Sequence, residues 1–298
     1  MSKHRPFLTR LASLAVLVLS LGMPLMPAPV LAAFPDRPIR IVLGFAPGGG
    51  SDILLRAITP ALGEALGQVV VVDNRPGAAG NLAMVAVAQA TPDGYTLLMG
   101  TPGLATNPSL YPNAGFDPLR DFAPVSLVGS VPNVLIVRKG LPANSVAELI
   151  AYAKAHPGKL NVASPGAGSS QHLAGELFLA SAGISMVHIA YKGGAPALND
   201  VVAGQVDLMF NVLPSALPQI QAGSVRALAV TGTRRSDTLP DSPTMAEAGL
   251  PGYSAVTWNG ILAPAGTPRE VVERLNLAIG RALRSHAAPK PSFRGSCT

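Results

Sequence analysis

Apolar runs alternate with segments of helical spacing along most of the chain. The runs IRIVLGF, QVVVVDN and GYTLLMG are nearly continuous in apolar residues, which is typical of strands covered on both faces. The segments SDILLRAITPALGEALG and NLAMVAVAQA repeat apolar residues at helical spacing, with Ser51 or Asp52 as the expected N-cap of the first. This alternation predicts an α/β fold with a parallel sheet between helices.

The alternation restarts near Phe122. APVSLVGSVPNVLIVRK predicts a long strand, and SVAELIAYAKAH predicts a helix with Ser145 as N-cap and Glu148 three residues later. The strands KLNVASPG, MVHIAY, VDLMFNV and RALAVTG alternate with the helices SSQHLAGELFLASAG and PALNDVVAG, and a return segment ends in the helix PREVVERLNLAIGRAL. We expect two lobes facing a cleft: residues 34–130 plus 232–284 form lobe 1, and residues 131–231 form lobe 2.

The first 33 residues have the pattern of a secretory signal peptide. A basic segment, MSKHRPFLTR, precedes an apolar stretch and the small-residue sequence VLAA, so we expect cleavage after Ala32 or Ala33. The prolines at 24, 27 and 29 shorten the apolar run, which disfavours an uncleaved membrane anchor. We therefore expect an exported protein that has no stable membrane insertion after cleavage.

The net charge of +6 comes from the two ends of the chain. Removing six terminal cations from the 22 basic residues leaves 16, which equals the 16 acidic residues. A neutral folded part gives no support to a nucleic-acid partner. The six terminal cations are Lys3, Arg5, Arg10, Arg284, Lys290 and Arg294.

Two loops rich in small residues follow predicted strands. In the first, Gly48, Gly49 and Gly50 place backbone N–H groups before a helix N-terminus, where a carboxylate or phosphate is favoured. The loop lacks the lysine of a phosphate-binding Walker motif and fits the dinucleotide fingerprint poorly. Anion binding and a purely structural turn both stay open for this loop alone.

The second loop, VASPGAGSSQH, repeats this arrangement in the second unit. Its hydroxyls and open backbone come from Ser164, Gly166, Gly168, Ser169 and Ser170. Because ligands of open α/β sheets lie at the carboxyl ends of strands, the two loops could meet across the cleft. Together they could hold a small carboxylate without a cationic side chain or a cofactor.

Several blocks then carry a family resemblance over residues 34–284. FPDRPIRIVLGFAPGGGSDILLRAI, VVVVDNRPGAAGNLA, TPDGYTLLMGTPGLATNPSLY, VASPGAGSSQHLAGELF and WNGILAPAGTP resemble, in family order, the Bug (TctC-like) extracytoplasmic solute-binding receptors. The resemblance implies a two-lobed periplasmic binding protein fold of type II-like topology. It also implies capture of a dicarboxylate, tricarboxylate, amino acid or aromatic acid, for sensing or for delivery to tripartite tricarboxylate transporter membrane subunits. We expect a monomer.

The resemblance also implies a set of ligand-binding residues and a hinge acid at Asp207. Asp52 could instead cap a helix, since an acid suits only a ligand with an ammonium group, and Lys192 could neutralise a second carboxylate or be solvated. The implied ligand-binding residues are Phe45, Ala46, Gly48, Gly49, Gly50, Ser51, Asp52, Thr101, Asn107, Ser164, Gly166, Gly168, Ser169, Tyr191, Lys192 and Gly193.

An exported hydrolase with a Ser/His site in the cleft is the main alternative. The chain contains neither the GxSxG elbow nor the HExxH motif. His172 and Glu176 have a spacing that can suit a metal, but a capping or packing role is favoured without a third ligand. We expect His188 to be packed and Tyr253 and Trp258 to be core or hinge aromatics.

The end of the chain departs from the family pattern. Residues 285–298 form an acid-free, aperiodic tail that contains the single cysteine, Cys297, so neither a disulfide framework nor a cysteine metal site is expected. If the chain is truncated here, the preceding helix lacks a packing partner and lobe 1 exposes apolar surface. A truncated, non-functional receptor therefore remains a second alternative.

Overall fold

The computed structural model describes residues 34–285, so the predicted signal peptide and residues 286–298 lie outside the described part. Within residues 34–285, no helix is long and apolar enough to span a membrane. The elements follow in this order: β1 (Ile39–Leu43), α1 (Gly50–Leu66), β2 (Val70–Asn74), a 3-10 turn (Ala78–Gly80), α2 (Asn81–Ala88), β3 (Thr96–Gly100), α3 (Gly103–Leu110), β4 (Phe122–Arg138), α4 (Val146–Ala155), β5 (Asn161–Ser164), α5 (Ser170–Ala182), β6 (Val187–Ala190), α6 (Gly194–Val202), β7 (Leu208–Val212), α7 (Leu213–Gln221), β8 (Val225–Val230), β9 (Val256–Pro264) and α8 (Arg269–Ser285).

The sheet is mixed, whereas the sequence predicted parallel strands. The strand order is β2-β1-β3-β9-β4-β7-β5-β6, and β8 also pairs with β4. β1 is parallel to β2 and β3, and β5 is parallel to β6 and β7. β9 is antiparallel to β3 and β4 because it returns from the second unit to the first. The sequence predicted this return segment, but neither strand β9 within it nor its antiparallel pairing.

Strand β4 is shared by the two halves of the molecule. Residues 122–132 pair with β9, and residues 133–138 pair with β7 and β8. We call β1, β2, β3, β9 and the first part of β4, with α1, α2, α3 and α8, lobe 1. Lobe 2 contains the second part of β4 and the remaining strands and helices. The predicted two-lobed α/β fold is confirmed.

One predicted lobe boundary is wrong. Met245, Leu250 and Tyr253 are buried in the core of lobe 2, where Tyr253 lies beside Phe210 and its hydroxyl donates to the carbonyl of Ala174 at 2.6 Å. Their apolar side chains place this segment in lobe 2, although the sequence assigned it to lobe 1. The other predicted boundaries stay predictions.

Helix α8 is well packed within lobe 1. Its buried face includes Leu275 and Ile279, and the helix contacts α1 and β4. Asn276 Nδ2 also donates to the carbonyl of Val125 at 2.7 Å. The expectation that this helix lacks a packing partner is therefore wrong.

Candidate ligand-binding cleft

A small cavity lies between the lobes, at the carboxyl ends of β1, β3, β5 and β7. Its volume is about 20 Å³, and one water fills about 10–15 Å³ of such a space. The position agrees with the predicted cleft. The predicted residues on its wall are Phe45, Gly49, Gly50, Ser51, Asp52 and Thr101; the wall residues absent from the predicted set are Pro165, Ser170, Gln171, Gly194, Asn211, Val212 and Thr257.

The carboxylate of Asp52 organises the first loop. It accepts hydrogen bonds from Gly48 N, Arg56 Nε and Asn74 Nδ2, each at 2.9 Å. Burial on its own raises the pKa of Asp52, but the hydrogen bonds from Arg56, Gly48 and Asn74 outweigh it and hold the pKa below its ordinary value. The Gly48 N–H is therefore used inside the loop.

Helix α1 begins one residue before the predicted caps. Gly49 is its N-cap, and no side chain caps the helix, so the prediction of Ser51 or Asp52 as N-cap is wrong. The N–H groups of the first turn have no intrahelical partner, and the helix dipole is positive there. Because Gly50 and Ser51 line the cavity, this end of the helix favours an anion inside it.

Two helices of lobe 2 contribute further N-termini to the same cavity. Gly193 is the N-cap of α6 and Val212 the N-cap of α7, and neither helix has a side-chain cap. Gly194 and Val212 both line the cavity. Uncapped N-termini from both lobes therefore favour an anion in the cavity. The carboxylate of Asp52, which lies on the described wall, is paired with Arg56.

The hydroxyls of the second loop mostly stabilise the loop itself. Ser164 Oγ accepts from Gly166 N at 3.1 Å and lies 2.6 Å from His188 Nε2. Ser169 caps α5 by accepting from His172 N at 3.2 Å. Both serines were predicted to contact ligand, but neither lies on the described cavity wall. Of the serines in this loop, Ser170 lies on the described cavity wall.

Two histidines pack behind this loop. The rings of His172 and His188 lie 4.1 Å apart, and His172 Nδ1 accepts from Gly168 N at 3.1 Å. Burial lowers the pKa of both histidines. The carboxylate of Glu176 acts in the opposite direction and raises the pKa, since its Oε1 lies 3.4 Å from His172 Nε2. Within residues 34–285, no cluster of three potential metal ligands occurs. The histidines therefore support the loop backbone.

Several predicted site residues instead join the lobes. Ala46 N donates to the carbonyl of Lys192 at 3.2 Å, and Thr106 Oγ1 donates to the carbonyl of Gly168 at 3.3 Å. A Cβ at Gly193 would lie 2.9 Å from Ala46 N, so glycine permits this close approach. Of the predicted residues, Ala46, Gly166, Gly168 and Gly193 lie at contacts between the lobes.

Asn107 belongs to the same contact surface. Its side chain is fully buried, and Nδ2 donates to Asn81 Oδ1 at 2.7 Å and to the carbonyl of Ala79 at 3.2 Å. Its Oδ1 lies beside Gly168, where an added Cβ would be 2.5 Å away. Asn107 therefore orders lobe 1 at the mouth of the cleft and does not lie on the cavity wall.

Three predictions from the second unit are not supported by side-chain positions. The Tyr191 hydroxyl donates to Asp200 at 2.6 Å within lobe 2, and burial together with this bond raises the pKa of Tyr191 to about 12. The Lys192 side chain is exposed. Asp207 is paired with Arg138 at 2.8 Å, at the end of β4 that lies roughly 20 Å along the strand from Pro132, where β4 leaves lobe 1. Asp207 is therefore not a hinge residue.

The residue most clearly missed from the sequence is Asn211. It is fully buried on the cavity wall, and neither its Nδ2 nor its Oδ1 has a hydrogen-bond partner among the described residues. The available signal was a single polar residue inside the otherwise apolar strand LMFNV. Buried amides are normally paired, so this one marks a place where a ligand or water is expected.

The crossover between the lobes is a buried network of polar groups. Asn133 N donates to Thr231 Oγ1 at 2.8 Å, and Thr231 N donates to the carbonyl of Asn133 at 2.9 Å. Thr231 Oγ1 also donates to the carbonyl of Ala255. Thr257 extends the network to the cavity wall, because its Oγ1 donates to Asn133 Oδ1 at 3.2 Å.

Known proteins share both the sequence and the fold. BugT of Bordetella pertussis is 41% identical over 263 residues, 87% of this chain and 81% of BugT. The structure of Rhodopseudomonas palustris Rpa4515 with adipate is 44% identical, with a TM-score of 0.81, and covers 83% of each chain. The structure of MatC from the same organism with bound malate is 38% identical, with a TM-score of 0.80, over 84% of this chain and 85% of MatC.

A match to a family model identifies the family to which this chain belongs. The model described as the tripartite tricarboxylate transporter family receptor matches residues 54–294, ten residues beyond the end predicted for the resemblance. This match covers well over half of the chain, and it confirms the predicted resemblance. Members of the family are solute-binding receptors, not enzymes. The protein therefore belongs to the tripartite tricarboxylate transporter receptor family.

Proposed function

We propose that this protein is a periplasmic receptor that binds a small carboxylate in the cavity between its lobes. The observation that carries the proposal is the convergence of three uncapped helix N-termini, those of α1, α6 and α7, on one cavity. A carboxylate placed there accepts hydrogen bonds from N–H groups that the helices leave unpaired. Relatives whose structures contain adipate and malate support this ligand class.

Binding requires the lobes to separate and close again. A cavity of about 20 Å³ cannot hold a four-carbon acid, so the ligand must enter an open form. We propose that the hinge lies near Val128–Val131 and Val230–Gly232, beside the point where β4 exchanges its pairing with β9 for pairing with β7. Closure then excludes water, so the backbone N–H groups replace the hydration of the carboxylate.

The hydrolase alternative has one structural feature in its favour, the 2.6 Å contact between Ser164 and His188. Ser164 is only 1% exposed, however, and its hydroxyl also accepts from a loop N–H. The ring of His188 packs at a tilt against that of His172, and among residues 34–285 no carboxylate hydrogen-bonds to it as the third member of a triad would. We therefore assign the pair to loop support and propose that the protein has no catalytic activity.

We further propose export through the N-terminal segment and delivery of the ligand, as a monomer, to tripartite tricarboxylate transporter membrane subunits. The basic and then apolar pattern of the first 33 residues supports export. The family description supports a transporter partner. The test is fractionation of cells that express the full chain, which should yield the processed protein in the periplasmic extract as a monomer on gel filtration.

Ligand binding is tested by thermal unfolding of that periplasmic protein with mono-, di- and tricarboxylates, amino acids and ATP. A ligand at one hundred times its Kd stabilises the folded state by about 2.7 kcal/mol. One carboxylate class should raise the Tm and be recovered unchanged. A cooperative melt without any carboxylate response, or a response to ATP alone, would refute the proposal. The absence of a cooperative melt would favour the truncated, non-functional alternative.

A further inference from the structure

The side chain of Asn211 is the most unusual polar group in the cavity. Asn211 lies on β7 directly opposite Val134 of β4, and it is 0% exposed. Both amide atoms lack a partner among the described residues. Oδ1 faces the N-terminus of α6, since a Cβ at Gly194 would lie 3.3 Å from it. The amide therefore stands beside the helix N-termini that we propose to hold the carboxylate.

A buried primary amide needs both a hydrogen-bond donor and an acceptor from the groups that contact it. Nδ2 donates and Oδ1 accepts, so a ligand that displaces water from the amide satisfies both atoms only if it offers an acceptor and a donor. A carboxylate offers acceptors alone, and so does an unsubstituted hydrocarbon chain bearing two carboxylates. Leaving the oxygen of a buried amide unpaired costs free energy, which makes the site discriminate between such ligands.

We infer that Asn211 is a specificity residue that selects hydroxycarboxylates over the unsubstituted acids of the same length. A hydroxyl is the smallest group that both donates and accepts. The carboxylate of the ligand occupies the helix N-termini, and its neighbouring hydroxyl pairs with the amide of Asn211. This inference rests on the proposed function, because it names the ligand class of the same cavity.

The test compares acids that differ by one hydroxyl. Calorimetric titration of the wild-type protein uses three pairs: lactate and propionate, malate and succinate, and 2-hydroxyadipate and adipate. In the pair that fits the cleft, we expect the hydroxy acid to bind about ten- to one-hundred-fold more tightly. Equal affinities within that pair would overturn the inference and leave the proposed function standing. A lack of binding by all six acids would count against both.

The variant Asn211→Leu removes both amide groups and keeps the number and branching of the side-chain heavy atoms. We expect it to melt at the same or a higher temperature without ligand, because an unpaired buried amide is lost. The ratio of the affinity for the hydroxy acid to that for the unsubstituted acid should fall to about one. Asn259→Leu is the matched control, since Asn259 is also buried with an unpartnered Oδ1 but does not line the cavity. Retention of the preference in Asn211→Leu, or its loss in Asn259→Leu alone, would contradict the assignment.

Discussion

The hydroxyl of Ser170 lies 2.8 Å from the hydroxyl of Thr257, and this contact joins the second loop to the crossover between the lobes. Ser170 is the first residue of α5, and Thr257 is in β9. Thr257 also donates to Asn133, the residue at which β4 enters lobe 2. One chain of hydrogen bonds therefore runs from the cavity wall into the hinge region.

This chain predicts energetic coupling between Ser170 and Thr257. A double-mutant cycle of Ser170→Ala and Thr257→Val, measured by urea unfolding, should give a coupling of about 0.5–3 kcal/mol, because the residues are in direct contact. Thr257→Val alone should also weaken carboxylate binding, since it frees the loop from the crossover. If the two substitutions have additive effects on the free energy of unfolding, the contact contributes nothing to stability.

Gly50 permits the closed arrangement of the lobes. A Cβ at this position would lie 1.7 Å from Cγ2 of Val212, across the cleft. Gly50→Ala should weaken carboxylate binding about ten- to one-hundred-fold, because overpacking penalises the closed form by about 1–3 kcal/mol and leaves the open form unaffected. Calorimetric titration measures the affinity, and X-ray scattering with saturating ligand should show a larger radius of gyration than for the wild type.

Gly280→Ala is the matched control for this substitution. It also replaces a helical glycine of lobe 1, but its Cβ would meet only the flexible end of Arg284 at 3.4 Å. Its affinity should equal that of the wild type. If Gly50→Ala binds as tightly as this control, closure does not depend on the contact with Val212.

The buried carboxylate of Asp52 should stabilise the protein in a pH-dependent way. Asp52→Asn should lower the free energy of unfolding at pH 7 by about 1.5–3 kcal/mol, because three hydrogen bonds to a charged group are weakened. The pKa of Asp52 is lowered in the folded state, so its contribution is complete above the ordinary value of 3.8 and is lost as the pH falls through the folded pKa.

Urea unfolding at pH 7, 5 and 3 checks this expectation. The difference between wild type and Asp52→Asn should be equal at pH 7 and 5 and smaller at pH 3. Asp73→Asn serves as the control, since Asp73 is 28% exposed in its pair with Arg75, and a surface pair contributes about 0–1 kcal/mol. Equal losses for the two variants would mean that burial gives Asp52 no special role.

The packed pair of His172 and His188 should make the protein less stable in mild acid. Burial lowers the pKa of His172 and His188 below 6.5, so the unfolded chain binds more protons as the pH falls below that value. Stability is therefore complete above about pH 6.5 and is lost as the pH falls through the folded pKa, by at most about 1.4 kcal/mol per pH unit for each histidine.

The double variant His172→Asn/His188→Gln tests this dependence. The new side chains can keep the acceptor for Gly168 N and the contact with Ser164, but they cannot titrate. The free energy of unfolding, measured by urea between pH 7.5 and 5, should change less with pH than in the wild type. Exposed His156→Gln should leave the wild-type slope in place. An unchanged slope in the double variant would exclude the histidine pair as its source.

The sequence by itself determined most of the strands and helices, the two small-residue loops and the family. It did not predict β9, α3 or α7. Apolar periodicity and glycine position are local properties, so they report which segments form strands, helices and turns. The capping box at Ser145 was predicted for the same reason, and the structure confirms that its Oγ accepts from Glu148 N at 3.1 Å. The predicted wall residues Gly49, Gly50 and Thr101 all follow strands, where clefts of this fold class lie.

Tertiary structure alone decided the contacts between polar groups that lie far apart in the chain. Asp52 and Ser164 look like ligand contacts in the sequence, but their partners Asn74 and His188 are more than twenty residues away in the chain. Asn211 carries no motif, and it becomes conspicuous only because folding buries its amide without a partner. Hydrogen-bond satisfaction depends on groups brought together across strands and lobes, which no local pattern records.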